Sequence, residues 1–325
     1  MAVETAIGTA EAPAPRVVAR VRPPSLRQRW RRDRVLLVVA LPGLAVLLVF
    51  HYLPLLGNVI AFKDYQPYVG IADSPWVGLA NFRAIFSGNP AFWSAAGNTL
   101  IISLLQVAFV FPVPIGLALL LNSMASERLK RAVQSVLYLP HFLSWVIVVA
   151  IFQFMLGNTG LVNTFLHAHG SGGFDIIGNP GLFKALITSQ VIWKDTGWGT
   201  ILFLAALSRI DPALYEVAQM DGASAWRQLR HVTLPGIRSV VVLVLILRLG
   251  DVLSVGFEQI LLQQNAVGFT ASEVLDTYVY NNAVISGAWG VSAAVGLVKG
   301  LIGVALVLGA NKVAHIFGER GVYQK

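Results

Sequence analysis

No cysteine occurs in the 325 residues, so disulfides and thiolate-ligated metal sites are excluded. Charge is scarce as well. Asp, Glu, Lys and Arg make up 12% of the chain, against roughly 25% in an ordinary soluble domain. Hydrophobic residues make up 56%. That balance reads as a polytopic membrane protein rather than a large soluble core. The six histidines are scattered without the spacing of metal ligands. No Gly-Lys dipeptide occurs, so a phosphate-binding P-loop is ruled out and this chain is not itself an ATPase of that kind. No His-Glu-x-x-His occurs, and Arg248-Leu249-Gly250-Asp251 lacks the first glycine of an intramembrane aspartyl protease motif. No catalytic residue, metal or bound cofactor is expected in this chain.

What the chain does have is apolar stretches, at roughly 35–56, 99–121, 136–156, 183–207, 240–260 and 288–308. Each is near the ~20 residues that cross a hydrocarbon core about 30 Å thick. Pro112, Pro114 and Pro140 fall in the second and third stretches. Membrane helices tolerate proline where neighbours cover the freed carbonyls. The expected fold is an all-α membrane protein, with a six-helix domain over 35–325 behind a disordered basic leader, 1–34. The leader carries Arg16, Arg20, Arg22, Arg27, Arg29, Arg31 and Arg32 but no apolar run or small-residue cleavage site, so it is not a cleaved secretory signal. Glu4, Glu11 and the prolines count against a transit peptide. Nucleic-acid binding is one reading of the arginines. A cytosolic tail that fixes topology and touches anionic lipid is the other, and no nucleic-acid partner is expected.

Orientation follows from Lys and Arg. With the N-terminus inside, the inner segments hold the leader arginines, Arg128, Lys130, Arg131, Arg209, Arg227, Arg230, Arg238, Lys312, Arg320 and Lys325, whereas the outer loops hold only Lys63 and Arg83. This bias places both termini in the cytosol.

Between the fourth and fifth stretches lies 211–235, DPALYEVAQMDGASAWRQLRHVTLP, too polar to be a span. Asp211 suits a helix N-cap and Pro212 the first helical position. Gly222 permits the φ > 0 turn that ends a helix. Ser224 suits the cap of a second short helix, and Pro235 is expected to stop it. The result is a cytosolic helix-turn-helix suited to docking in a cleft of another protein. Glu216, Ala218, Gly222, Leu234 and Pro235 follow the pattern E-A-A, three residues, G, nine residues, I-x-L-P, with Val217 and Val232 as mild departures. The stretch resembles the cytoplasmic coupling loop of permease subunits of binding-protein-dependent ABC importers. The resemblance implies that Glu216, Ala218, Asp221, Gly222, Leu234 and Pro235 couple to an ATPase subunit.

It extends through AFKDY (61–65), SPWVGLANF (74–82), LYLPHFLSW (137–145), IWKDTGWG (192–199), GFEQI (256–260) and DTYVY (276–280), which look like the branch that carries oligosaccharides and polysaccharide fragments. The family implies a bacterial inner-membrane assembly of this subunit, a related second permease, two ATPase subunits that bind ATP and Mg, and an extracytoplasmic solute-binding protein. Peptide or another polar solute is the runner-up cargo, and a stand-alone channel or secondary carrier the runner-up class.

Five charges fall near the middle of spans: Lys194, Asp195, Arg248, Asp251 and Lys299. A charge there costs about 3 kcal/mol or more unless paired or hydrated. Arg248 and Asp251 are three apart and are expected to pair. One cation is then left over. With Trp193, Trp198 and Gln190, these charges either line a hydrated pathway for a polar solute or form a structural ion-pair cluster. Outside, Trp76, Phe82, Phe92 and Trp93 read as interfacial aromatics, on a loop that either docks a solute receptor or lies against headgroups. The segment 273–282 is a possible lip over a cavity.

Overall fold

The computed structural model describes residues 26–319 and 321. The expected leader lies outside the described residues as far as residue 25. Helix α1 starts within the rest of it, at Leu26, and runs to Leu47 with Pro42 inside. Five runs are long and apolar enough to cross a membrane: Asp33–Phe62, Pro90–Asn122, Trp145–Ala168, Ala225–Gly250 and Trp289–Ile316. Among the described residues all regular structure is helical, apart from one antiparallel bridge between Lys63 and Trp76. Contacts divide the chain into two units after Gly57, and the loop expected outside, the polar interior and the hairpin all belong to the second.

The loop expected outside is built by its own side chains. Phe62 stacks on Trp76 at 5.7 Å, and the Lys63 ammonium donates to the carbonyls of Ile71 and Ala72 at 2.6 and 2.9 Å. Trp76 and Trp93 are exposed, but Phe92 is buried with Ala95, Leu275 and Tyr278. Phe92 is therefore a core residue, not an interfacial one. In the segment expected to form a lip, Leu275 and Tyr278 likewise belong to that core. Burial raises the Tyr278 phenol above its ordinary pKa, the Glu273 charge adds to this, and the hydrogen bond from Asn89 opposes it.

The second span is longer than its apolar stretch. Asn89 caps α2 (Pro90–Leu105) by accepting from the N–H groups of Ala91 and Phe92. A π-turn at Gln106–Val110 then leads into α3 (Pro112–Asn122). Pro112 explains the turn, because it has no N–H and its ring crowds the carbonyl four residues back.

The third span is not continuous. Ser126 caps α4 (Glu127–Tyr138), a 3-10 turn covers Leu139–Phe142, and Ser144 caps α5 (Trp145–Leu156). Pro140 withholds a helical donor and Ser144 starts a new helix, so the expected single helix over 136–156 breaks in two. The fourth is one helix, α6 (Phe183–Leu207), with the expected bounds. It carries Lys184, Lys194 and Asp195 and is not among the five most apolar runs. Gly197 lets it approach closely: a Cβ there would lie 2.0 Å from the Leu137 carbonyl oxygen.

The polar stretch between the fourth and fifth spans folds into α7 (Pro212–Met220) and α8 (Ala225–Gln228). From α8 the chain passes through a π-turn at Leu229–Thr233 into α9 (Leu234–Gly250). The expected fifth span, 240–260, is thus cut. Residues 251–256 are unwound, Gly256 sits at φ +110°, and α10 (Phe257–Val267) follows. The short helix α11 (Leu275–Tyr280) precedes α12 (Trp289–Ile316), which matches the sixth stretch and overruns it. Ile102, Phe183, Ile187, Val255, Ile260, Val267 and Val274 form one core cluster, and Ala118, Phe203, Ala206, Leu207 and Ile237 another.

Candidate functional site

The hairpin starts as its sequence dictates. The Asp211 carboxylate accepts from the Ala213 N–H at 2.9 Å, with Pro212 opening the helix. It ends on Gly222 at φ +71°. The Ala223 N–H reaches the Ala218 carbonyl and the Gly222 N–H the Gln219 carbonyl, the paired closure of a Schellman motif. Two details differ from expectation. The Ser224 hydroxyl makes no capping bond. Pro235 does not stop a helix, because it lies in the first turn of α9. The second arm of the hairpin therefore runs into the fifth span without a connecting loop. Tyr215 ties the two arms together, its hydroxyl 3.0 Å from Thr233 Oγ1.

Glu216, Asp221, Gly222, Leu234 and Pro235 are exposed and Ala218 is half-buried. Leu214, Val217, Met220 and Trp226 are exposed beside them. Exposed apolar groups of this kind mark a contact surface, for another protein or for the membrane.

The interior charges separate into distinct groups instead of one cluster. Lys194 is buried and donates to the carbonyls of His141 and Leu143 at 2.6 and 2.8 Å. Those oxygens are freed by the break between α4 and α5, so the lysine substitutes for missing helical N–H donors. Its ammonium also lies 5.5 Å from the Trp145 ring centroid. Its neighbour Asp195 turns elsewhere, to His141 Nδ1 at 2.9 Å. The His141 ring stacks on Trp198, with centroids 4.6 Å apart and planes 4° apart. Asp195, His141 and Trp198 thus form a partly exposed polar and aromatic patch. Trp193 packs edge-on to Phe152. Gln190 is fully buried in an amide network with Gln259 and Gln263, so it holds α6 to α10.

Arg248 lies in the last turn of α9 and Asp251 just past its end, so neither occupies the middle of a helix. The expected Arg248–Asp251 pair is not formed. Arg248 Nη2 donates instead to Gln106 Oε1 at 2.6 Å. The Gln106 amide nitrogen donates to the Val255 carbonyl at 3.0 Å, and the Ser103 hydroxyl bonds the Val252 carbonyl. The second break is thus satisfied by the second span, as the first is by Lys194. Lys299 pairs with Asp276, and both line a cavity of about 670 Å³ together with Asp251. His141, Gln106 and Asp276 were not singled out from the sequence. His141 has a local signal, since it follows Pro140 in LYLPHFLSW.

A helical membrane protein with broken spans, polar groups at the breaks and an exposed helical hairpin between two of them has the makings of a solute permease. Residues 110–318 match the family described as binding-protein-dependent transport system inner membrane component, and the chain belongs to that family. It is similar to the polygalacturonan/rhamnogalacturonan transport system permease protein YteP of Bacillus subtilis (strain 168), 44% identical over 97% of this chain and 99% of the relative. Protein LplB of the same organism is 44% identical, over 90% and 92%. Among solved structures it is similar to a bacterial ABC transporter involved in the import of the acidic polysaccharide alginate, with a TM-score of 0.82, 35% identity, and 89% and 98% covered. The bacterial alginate ABC transporter in complex with an alginate pentasaccharide-bound periplasmic protein gives a TM-score of 0.83 at 35% identity, with 91% and 99% covered.

Proposed function

We propose that this chain is one of two permease subunits of an ATP-driven importer. It spans the bacterial inner membrane six times with both termini in the cytosol, and it forms a pathway for an oligosaccharide delivered by an extracytoplasmic binding protein. The observation that carries the reading is the hairpin closed at Gly222, whose second arm runs directly into α9. Closure of an ATPase pair around α7 is thereby passed to the spans as rigid-body motion, which is alternating access. The 25 residues of α6 suffice for the sixth crossing. The names of the relatives, a polygalacturonan/rhamnogalacturonan permease and an alginate importer, support a carbohydrate cargo. In this assembly ATP and Mg are held by the partner ATPase subunits, and no cofactor by this chain. The Asp195–His141–Trp198 patch offers a planar ring face and a carboxylate, groups that suit a sugar. Arg248 and the cavity holding Asp251 and Lys299 extend the polar lining.

Co-purification tests the coupling. An ATPase subunit should follow this chain in detergent and be lost from Gly222→Glu, and retention by that variant would remove the hairpin from the docking role. Growth of a deletion strain on a panel of glycans tests the cargo, and growth unchanged on every glycan would remove the carbohydrate reading.

A further inference from the structure

Arg238, in the second turn of α9, lines two grooves at once. The first runs between α9 and α12 and encloses about 480 Å³, with Leu245, Leu249, Ala305, Gly309 and Ala310 in its lining. Apart from Arg238 and Glu319, every residue along it is apolar or glycine. The second encloses about 400 Å³ and lies between α9 and Ile115 of α3. Its polar linings are Arg230 and Arg238 alone. Neither groove offers the hydroxyls and amides that would hold a polar solute. Both are shaped from surface that hydrocarbon covers.

The arginines stand at the end of the spans. Arg238 Nε lies 2.8 Å from Glu319 Oε1 and its Nη2 donates to the Phe317 carbonyl at 3.4 Å, both just past the end of α12 at Ile316. Trp226, one turn before Arg230, is exposed as interfacial aromatics are. This is headgroup level, where an arginine lays its stem along apolar surface and keeps its charge at the interface. The local charge favours an anion. Glu319 is the sole carboxylate in either lining, and it is already held by Arg238 and by the Ser239 hydroxyl at 2.8 Å. Arg230 is exposed and forms no ion pair among the described residues.

We propose that this chain holds one anionic diacyl phospholipid here, its phosphate between Arg230 and Arg238 and one acyl chain in each groove. The guanidinium forks match phosphate oxygens. A zwitterionic headgroup would instead bring a further cation against Arg230. The site is independent of cargo and of which leaflet faces the cytosol; it needs only that α9 and α12 end in a headgroup layer. A lipid seated in this way bridges α3, α9 and α12 where the hairpin's second arm enters the fifth span.

The test uses the protein purified with its partner subunits and placed in nanodiscs of equimolar dioleoyl phosphatidylglycerol and dioleoyl phosphatidylcholine. Native mass spectrometry then counts the most tightly held lipid. One arginine at a membrane surface favours anionic lipid by about fivefold, so the unaltered complex should retain phosphatidylglycerol over phosphatidylcholine by that factor or more. Arg230→Gln should lower the ratio by about fivefold, and because the side chain is exposed the fold is not at stake. Arg238→Gln should lower it as well. Glu319→Gln should leave it unchanged or raise it, which separates lost lipid contact from a lost ion pair. Gly309→Leu should displace the lipid without altering charge; nothing lies within 4 Å of a Cβ there, so the new side chain has room to enter the groove. Equal retention of the two lipids by the unaltered complex overturns the site. So does a ratio that survives Arg230→Gln, a ratio that falls in Glu319→Gln, or full retention by Gly309→Leu. Retention of no lipid, as when a partner subunit covers both grooves, overturns it too and leaves the importer reading standing.

Discussion

At the scale of single residues, the interior polar groups are answers to backbone geometry. Lys194 supplies donors to two carbonyls that the α4–α5 break leaves without partners. An orphaned buried carbonyl costs about 1–3 kcal/mol. Lys194→Met should therefore lower stability by roughly 2–6 kcal/mol for the two together, seen as a drop in thermal unfolding temperature of the purified importer. An unchanged temperature would mean that the lysine clamps nothing. Gly197→Ala should be comparably harmful, because its Cβ would lie 2.0 Å from the Leu137 carbonyl oxygen. Overpacking of this kind costs about 1–3 kcal/mol, and membrane abundance would report it. These roles were invisible in the sequence because the partners are distant in it. His141 and Asp195 are 54 residues apart, and Gln106 and Arg248 are 142 apart. Depth and charge suggested Arg248–Asp251 as a pair, but the helix ends between them, which removes the shared face that spacing assumed.

At the scale of elements, local chemistry was the legible part. Asp211, Pro212 and Gly222 each do what their backbone preferences dictate, and the bounds of α6 agree with its apolar stretch. The breaks in the third and fifth spans were not legible, because an unwound apolar segment looks like a helix to a hydropathy count. Pro140 and Gly256 were the available signals. Pro235 misled because a proline stops a preceding helix and opens a following one equally well. The turn itself is testable. Nothing lies within 4 Å of a Cβ at Gly222, so a substitution there is opposed by backbone conformation alone. Gly222→Asn should keep the ATPase subunit bound, since asparagine tolerates φ > 0, and Gly222→Val should weaken it by about 1–2 kcal/mol. Asp211→Ala should weaken the same association through loss of the cap, by about 1 kcal/mol. Equal retention by all three variants would show that the hairpin's shape is irrelevant to docking.

At the scale of the whole molecule, the absence of cysteine makes topology directly measurable, because any introduced thiol is unique. Tyr68 is 85% exposed on the expected outer loop and Val217 is 52% exposed on the hairpin. A membrane-impermeant maleimide applied to intact cells should label Tyr68→Cys and should label Val217→Cys only after lysis. The reverse pattern would invert the orientation and end the importer reading. The continuity of the hairpin's second arm with α9 has a mechanical consequence. Ala225–Gly250 is one run of 26 residues, about 39 Å at the helical rise. In the proposed importer it acts as a lever arm, with the hairpin at one end and the unwound 251–256 segment at the other. A tilt of about 10° at the base swings the far tip by roughly 7 Å, on the order of one sugar ring's width.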